Sequence, residues 1–478
     1  MPVEISQFLF DAFARTDARR KRNQSNHNAD TNRQLSDSDD GSRKVIFTTF
    51  TKCNLFRKPP REIQTVKNLN MIQKLVKYTL IALFLFSQNS FAQNDDYERI
   101  YMGAENPELY LSLVLNKRVG VVTNQTGVLF AGTQLYSMSA EKLKQDIHLV
   151  DFLVSRKVDV KKIFSPEHGF RGDVDAGETV KSGKDVKTGL PIVSLYGNNK
   201  KPSKEQLADV DVILFDIQDV GVRFYTYIST LHYVMEAAAE NGKKVIVLDR
   251  PNPNGHYIDG PVLKEKFKSF VGMHQVPVVY GMTIGEYAKM INGEKWLKNG
   301  IQADLTVIPL KNYTHQRHYI LPINPSPNLP NDKSINLYPS TCFFETFNGS
   351  EGRGTDKPFQ VYGSPYLKNM PYQFTPKPNS GAKSPRFNGE ICYGEDLTET
   401  EFLSEINLEW LIKAHQNYQG NEPFWIKQSG EFWIDKLAGT DELRKQIDQG
   451  KSETEIKASW QKDLEEFKLV RKKYLIYD

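Results

Sequence analysis

The stretch VILFD at residues 212–216 decides the fold class, because it is a short apolar run that has no polar face and ends in a carboxylate. Strands that are apolar on both sides are typical of parallel sheets, which helices cover on both faces. Five more runs have the same character, at residues 119–123, 162–165, 192–196, 244–249 and 305–309. The sequence therefore predicts a buried parallel sheet.

Segments with helical spacing lie between these runs. One of them places apolar residues at Tyr227, Leu231, Val234, Met235 and Ala238. Another begins with Thr283 and Glu286, which form a predicted capping box. Because strands and helices alternate, we expect an α/β fold, with a Rossmann-like doubly wound parallel sheet domain over residues 93–305.

The composition of the chain changes after residue 305. Proline and asparagine crowd residues 321–330 and 371–385, which predicts loops. Helical patterns then return, and Ser452 and Glu455 form a further predicted capping box. We therefore expect a smaller α+β C-terminal domain over residues 306–478, which closes the active-site cleft.

The N-terminal part carries a targeting pattern. Lys74 and Lys77 precede an apolar run, and Ser-Phe-Ala ends at Ala92, so residues 71–92 are predicted to be a secretory signal peptide. We expect a protein exported to the periplasm or the cell exterior, with no membrane anchor after cleavage. Residues 1–70 are predicted to be a mis-assigned start or a disordered segment, and a cytoplasmic tail before an uncleaved anchor is the alternative.

Charge and cysteine content narrow the function classes. The formal net charge is +4, but residues 93–478 carry 47 basic and 50 acidic side chains, so no nucleic-acid partner is expected. Beyond the signal peptide only Cys342 and Cys392 remain, and whether they pair stays open. The glycine-rich stretches at 177–183 and 351–354 fit neither phosphate-loop nor dinucleotide spacing, so no cofactor is expected.

Polar clusters follow three of the predicted strands. The first contains Glu167, His168 and Arg171, the second contains Asp216, Asp219, Arg223, Tyr225 and Tyr227, and the third contains Asp249, Arg250 and Asn252. Ligands of an open α/β sheet bind outside the carboxyl ends of its strands, so these clusters predict the site. Carboxylates, amides and tyrosines together suit a carbohydrate, because glycosidic cleavage uses a carboxylic acid and often a second carboxylate.

Structural roles compete with these functional ones. The alternative for Glu167 is that it is an ordinary surface glutamate. The alternative for His168 is that it is a hydrogen-bonded structural histidine. Asp216 or Asp219 has the alternative of capping the helix that begins near Thr226. Asp249 and Arg250 have the alternative of a structural ion pair.

Five blocks of the chain resemble the signature blocks of the NamZ-type, or YbbC-like, exo-β-N-acetylmuramidase family. They are VVTNQTG at 121–127, SPEHGFRG at 165–172, DIQDVGVRFYTY at 216–227, LDRPNPNG at 248–255 and SEGRGT at 350–355. The resemblance covers nearly all of residues 97–478. One departure is Glu345-Thr-Phe-Asn348, where Glu-Gly-Thr-Asn is expected. The resemblance implies a secreted glycoside hydrolase that releases N-acetylmuramic acid from the non-reducing ends of peptidoglycan fragments.

The resemblance also implies roles for individual residues. Glu167 matches the glutamate of the Pro-Glu-His-Gly block and is the candidate general acid, with His168 as a second catalytic candidate. Candidate partner carboxylates are Asp216, Asp219 and Glu351, and nucleophile, base and substrate-assisted schemes stay open. The lactyl carboxylate of muramic acid needs a cationic receptor, for which Arg223 and Arg353 are the candidates. Further substrate contacts are expected from Asn124, Arg171, Tyr225, Tyr227 and Asn252.

Two other classes compete with this assignment. A metal-dependent hydrolase would use His168 with Asp216 or Asp249 as ligands, whereas our own expectation includes no metal site. A non-catalytic protein that binds cell-wall glycan would share the fold and the crevice. The expected partners are muramyl saccharides derived from peptidoglycan.

Overall fold

The computed structural model describes residues 99–131, 144–167, 169–170 and 183–478. Residues Asp96–Asp478 form one compact unit. The predictions for residues 1–70 and 71–92 lie outside the described residues. Within the described part, no helix is both long enough and apolar enough to cross a membrane.

A mixed sheet of seven strands, in the order β5-β6-β4-β1-β7-β8-β9, forms the centre of the unit. The strands in chain order are β1 Arg118–Thr123, β2 Val128–Leu129, β3 Ile147–His148, β4 Asp159–Ser165, β5 Gly183–Lys184, β6 Pro191–Ser194, β7 Val212–Asp216, β8 Lys244–Leu248, β9 Asp304–Ile308, β10 Val361–Ser364, β11 Tyr372–Phe374, β12 Cys392–Asp396, β13 Lys427–Gln428 and β14 Glu431–Phe432. Only β5 is antiparallel in this sheet. The six parallel strands follow the Rossmann order, which confirms the predicted fold class.

Both faces of the sheet are buried, as the apolar runs predict. Val122 and Phe215 pack into one core cluster, and their neighbours Val121 and Leu214 pack into another. Each of the six predicted runs coincides with a strand. β4 starts at Asp159, before the predicted residue 162, because its first half is only partly buried and is not a continuous apolar run.

Ten α-helices lie within the described residues. They are α1 Leu111–Val114, α2 Leu149–Ser155, α3 Tyr227–Glu240, α4 Ile284–Gly293, α5 Asp332–Thr341, α6 Glu409–Asn417, α7 Trp433–Ala438, α8 Glu442–Asp448, α9 Glu453–Ala458 and α10 Gln461–Arg471. The capping boxes predicted at Thr283 and Ser452 are both formed. A 3₁₀ helix, Cys342–Thr346, continues directly from α5.

The C-terminal part combines helices with a three-stranded antiparallel sheet in the order β10-β12-β11. Its helices pack onto the same hydrophobic cluster that covers one face of the large sheet, through residues such as Trp460 and Phe467. β9 crosses the boundary predicted after residue 305, because this strand is still a member of the central sheet. Cys342 and Cys392 are both buried and unpaired, which answers the open question about a disulfide.

Candidate active site

Glu167 lies at the carboxyl end of β4, where Pro166 ends the strand. Its carboxylate is half-buried and receives two hydroxyl hydrogen bonds. Tyr196, which follows β6, donates to Oε1 at 2.9 Å, and Thr226, which precedes α3, donates to Oε2 at 2.8 Å. Two loops of the central sheet therefore fix the orientation of this one carboxylate.

Glu167 lines a cavity of about 360 Å³, which we call the Glu167 lobe. Aromatic rings form much of its wall, from Tyr196, Phe224, Tyr225, Phe270, Tyr338, Phe359 and Trp433. A second cavity of about 400 Å³, the Arg386 lobe, shares Glu345, Arg353, Gln428 and Trp433 with the first. The two lobes thus form one cleft between the central sheet and the C-terminal part.

Glu345 is the carboxylate that both lobes share. It lies in the 3₁₀ helix Cys342–Thr346 and accepts a hydrogen bond from Arg353 Nη2 at 2.9 Å. Burial raises the pKa of Glu345, the Arg353 charge opposes this rise, and the charges of Glu351 and Glu167 add to it. Sequence reasoning missed Glu345 as a site residue, although it noted the Glu345–Asn348 departure, because the residue follows no strand of the sheet.

A group of paired charges lines the Arg386 lobe. Arg386 donates to Glu351 Oε2 at 3.0 Å, and Arg353 Nε lies 3.6 Å from Glu351 Oε1. The Arg353 guanidinium also lies 5.0 Å from the centre of the Phe359 ring. Gly352 has φ +85°, and a Cβ there would lie 2.7 Å from the Lys357 carbonyl oxygen, so the turn between Glu351 and Arg353 requires glycine.

Polar side chains fill the space at the carboxyl ends of β1 and β7. Asp216 accepts from Arg250 Nε at 2.6 Å and from Nη2 at 3.0 Å, and both residues are buried. Asn124 donates to the Tyr227 hydroxyl at 2.9 Å and is fully buried. The expected substrate contacts from Asn124 and Tyr227 and the catalytic role of Asp216 therefore have no support in the cleft geometry.

Asp219 and Asn252 are likewise occupied by the loops that contain them. Asp219 accepts from the Gly221 backbone N–H at 2.7 Å and from the Tyr280 hydroxyl, and burial raises its pKa to about 7. Asn252 donates to the Met282 carbonyl oxygen at 2.9 Å. Both side chains are buried, and neither lines the cleft.

The structure contradicts the expectation that Arg223 binds a substrate carboxylate. Its side chain has no exposed surface and donates to the carbonyl oxygens of Pro261 at 2.8 Å, Val276 at 2.6 Å and Leu437 at 2.9 Å. These bonds join the loops of the central sheet to α7. Arg223 therefore holds the two parts of the molecule together.

Two of the structural alternatives are also wrong. Neither Asp216 nor Asp219 caps α3, whose N-cap is Thr226 without a side-chain hydrogen bond. Asp249 forms no ion pair with the Arg250 guanidinium, which binds Asp216, and from Arg250 it accepts only the backbone N–H, through Oδ1. Its Oδ2 accepts instead from the hydroxyls of Thr283 at 2.8 Å and Tyr477 at 2.7 Å.

Some of the remaining predicted residues line the cleft, and others lie outside the described residues. Tyr225 lines the Glu167 lobe, Glu351 lines the Arg386 lobe and Arg353 lines both. His168 and Arg171 lie outside the described residues. Within the described ranges, no three His, Cys, Asp or Glu side chains converge as potential metal ligands.

A Rossmann-like sheet with a carboxylate-bearing, aromatic-walled cleft at its carboxyl edge defines an α/β enzyme suited to a carbohydrate. The family models for exo-β-N-acetylmuramidase NamZ match this chain, the N-terminal model over residues 119–333 and the C-terminal model over residues 336–477. The chain belongs to this family and is a glycoside hydrolase. The two models meet at the start of α5, later than the predicted boundary after residue 305.

Relatives of known sequence and structure agree with this assignment. The chain is 41% identical over 389 residues to the peptidoglycan β-N-acetylmuramidase NamZ of Bacillus subtilis, an alignment that covers 77% of this chain and 89% of that protein. Crystal structures of two DUF1343 family proteins from Bacteroides fragilis are also similar. They are 45% and 30% identical, with TM-scores of 0.70 and 0.65, and each match covers 80% of this chain and 99% of the other.

Proposed function

We propose that this protein is exported and releases N-acetylmuramic acid from the non-reducing ends of peptidoglycan fragments, with Glu167 as the general acid. The observation that carries the proposal is the position of Glu167 in a cleft of about 360 Å³ with aromatic walls. A cavity of this size falls in the range that holds a small ligand, and aromatic faces suit a sugar ring.

The acid role requires Glu167 to give its proton to the glycosidic oxygen as the bond to the anomeric carbon breaks. Tyr196 and Thr226 support this role, because hydroxyl groups accept from a protonated carboxyl as well as donate to an ionised one.

We assign recognition of the lactyl carboxylate to Arg353. Its guanidinium lies where the two lobes meet, and among the described residues Nη1 makes no hydrogen bond, while Nη2 donates to Glu345. Arg353 also lines the Glu167 lobe, which the proposal gives to the sugar ring. A charged hydrogen bond of this kind gives the enzyme a means to prefer muramides over uncharged glucosaminides.

The test uses the purified protein with a chromogenic β-muramide and with the matching β-glucosaminide. We expect release of the chromophore from the muramide and little or none from the glucosaminide. Equal rates would contradict recognition of the lactyl group, and no release from either would contradict the proposed activity.

Export is proposed from residues 71–92 alone. The exported protein should begin at Gln93, because the predicted signal peptide ends at Ala92. N-terminal sequencing of the protein recovered from the periplasm and the medium tests this, and recovery of a chain that retains residues 1–70 would contradict it.

A further inference from the structure

A second carboxylate, Glu345, lines the same lobe of the cleft as Glu167. Glu345 reaches the Glu167 lobe from the 3₁₀ helix that follows α5, whereas Glu167 reaches it from the end of β4. The negative charge of Glu167 contributes to the raised pKa of Glu345. The negative charge of Glu345 in turn contributes to the raised pKa of Tyr196, which is the hydrogen-bond partner of Glu167. Two carboxyl groups from different elements therefore share one lobe.

The other acidic candidates are unsuited to a direct role. Asp216 is fully buried in its ion pair with Arg250, and Asp219 is buried beneath the loops. Glu351 lines only the Arg386 lobe, and each of its oxygens faces an arginine. Among the described residues that line the Glu167 lobe, Glu167 and Glu345 are the only carboxylates.

Glu345 also keeps access to water. Its side chain is 21% exposed, and it lines the Arg386 lobe as well as the Glu167 lobe. The ion pair with Arg353 at 2.9 Å opposes the rise in the pKa of Glu345 that burial causes, and it fixes the direction of the carboxylate. An inverting glycosidase uses a carboxylate with access to water together with a carboxylic acid in the same site.

We propose that Glu345 is the second catalytic carboxylate of this cleft and acts as a general base, an inference that rests on the proposed function. Glu167 gives its proton to the glycosidic oxygen as the bond from this oxygen to the anomeric carbon breaks. The oxygen of one water molecule bonds to that carbon, and its proton passes to Glu345. One water is consumed, and Glu167 regains its proton from solvent as Glu345 loses its own. Arg353 serves as a positioning residue for Glu345.

The first test compares Glu345→Gln with wild type on an activated aryl β-muramide. We expect kcat to fall by roughly 10²–10⁴-fold, because glutamine keeps the hydrogen bond to Arg353 but cannot accept a proton from water. Glu395→Gln is the matched control, since Glu395 accepts from the Tyr362 hydroxyl in the C-terminal sheet and lines neither lobe. This control should keep wild-type kcat. A Glu345→Gln variant within threefold of wild type would overturn the inference.

The second test separates a base from a structural partner of Arg353. Azide attacks the anomeric carbon without losing a proton, so azide should restore activity to Glu345→Ala on the aryl muramide and yield the α-muramyl azide. Wild type should release the α-anomer of the sugar first, as NMR at early times will show. A folded Glu345→Ala without azide product, or release of the β-anomer first, would overturn the base role. If wild type released no sugar, the proposed function itself would fail.

Discussion

Two polar groups at the carboxyl edge of the same sheet have opposite fates. The buried network, which comprises Asn124, Asp216, Asp219, Tyr227 and Arg250, is closed off and bonded to its own loops. The cleft group, which comprises Glu167, Glu345, Glu351, Arg353 and Arg386, lines the two lobes. Both groups contain acidic side chains and arginines, so residue type does not distinguish the buried network from the cleft group.

A strand end therefore supplies a functional group only where the chain packed against that end leaves space. At β1 and β7 the Arg250 side chain occupies that space, and a buried charge is tolerable only because it is paired. At the end of β4, the C-terminal part does not fill the space, and the cleft lies there.

Glu167→Gln should show what the cleft group contributes. We expect kcat on a muramyl disaccharide to fall by roughly 10²–10⁴-fold, because glutamine cannot deliver a proton to a poor leaving group. The free energy of unfolding should stay within about 0.5 kcal/mol of wild type, since the residue is half-buried and glutamine has a similar shape. Measurement of kcat and of urea unfolding on the same preparation checks both, and a large loss of stability would place Glu167 in the buried network instead.

Asp216→Asn should show the reverse behaviour. Removal of this charge leaves Arg250 buried without a counter-charge, and breaking a buried pair in this way costs about 3–5 kcal/mol. We expect a lower unfolding midpoint in urea, with kcat per folded molecule unchanged within about threefold. Asp211→Asn is the control, because its ion pair with Arg118 is exposed and should matter little. Wild-type stability together with a lost kcat would return Asp216 to the active site.

Arg353→Ala tests how the cleft group selects its substrate. Truncation removes the charged group that the proposal pairs with the lactyl carboxylate, and since Arg353 is partly exposed the cost should lie at or below the lower end of the range of about 2–5 kcal/mol seen for buried charge pairs. We expect KM for the β-muramide to rise and the preference over the glucosaminide to shrink. Arg444→Ala is the control, since Arg444 pairs with Asp435 and lines neither lobe. Unchanged discrimination by Arg353→Ala would assign recognition of the lactyl group elsewhere.

Asp219→Asn tests how the buried network makes the free energy of unfolding depend on pH. The pKa of Asp219 is raised to about 7 in the folded state, from about 3.9 when unfolded, so the folded state holds the proton more tightly. This stabilisation is fully present below about pH 4 and is lost as the pH rises through 7, by at most about 1.4 kcal/mol per unit.

Urea unfolding of Asp219→Asn and wild type at pH 5 and pH 8 measures this difference. The variant cannot titrate at this position, so its stability relative to wild type should improve towards pH 8. If the difference in the free energy of unfolding between wild type and Asp219→Asn is the same at both pH values, the pKa of Asp219 is not raised by folding.

Much of the fold follows from local patterns. The apolar runs predict all six parallel strands, because a strand buried on both faces needs apolar residues throughout, and the capping boxes at Thr283 and Ser452 form as predicted. The sequence does not predict β5, since Gly183 and Lys184 are both exposed and form no apolar run.

The site follows from the sequence only in part. Pro166 ends β4, so the sequence predicts that Glu167 turns towards the crevice, and Glu167 does line a lobe of the cleft. The burial of Arg223 depends instead on carbonyl oxygens as distant in sequence as that of Leu437. Glu345 is brought to Glu167 by tertiary packing of the C-terminal part, which no local pattern encodes. Side chains at strand ends are therefore predictable as candidates, and their burial is not.

The leaving-group dependence of the Glu167→Gln variant shows whether Glu167 supplies the proton. The kcat ratio of wild type to Glu167→Gln should be measured on a muramyl disaccharide and on an aryl β-muramide with an acidic phenol. We predict a ratio of roughly 10²–10⁴ for the disaccharide and a ratio at least about tenfold smaller for the aryl muramide, because an acidic phenol departs without protonation. Equal ratios on both substrates, or near-normal turnover of the disaccharide, would contradict the account.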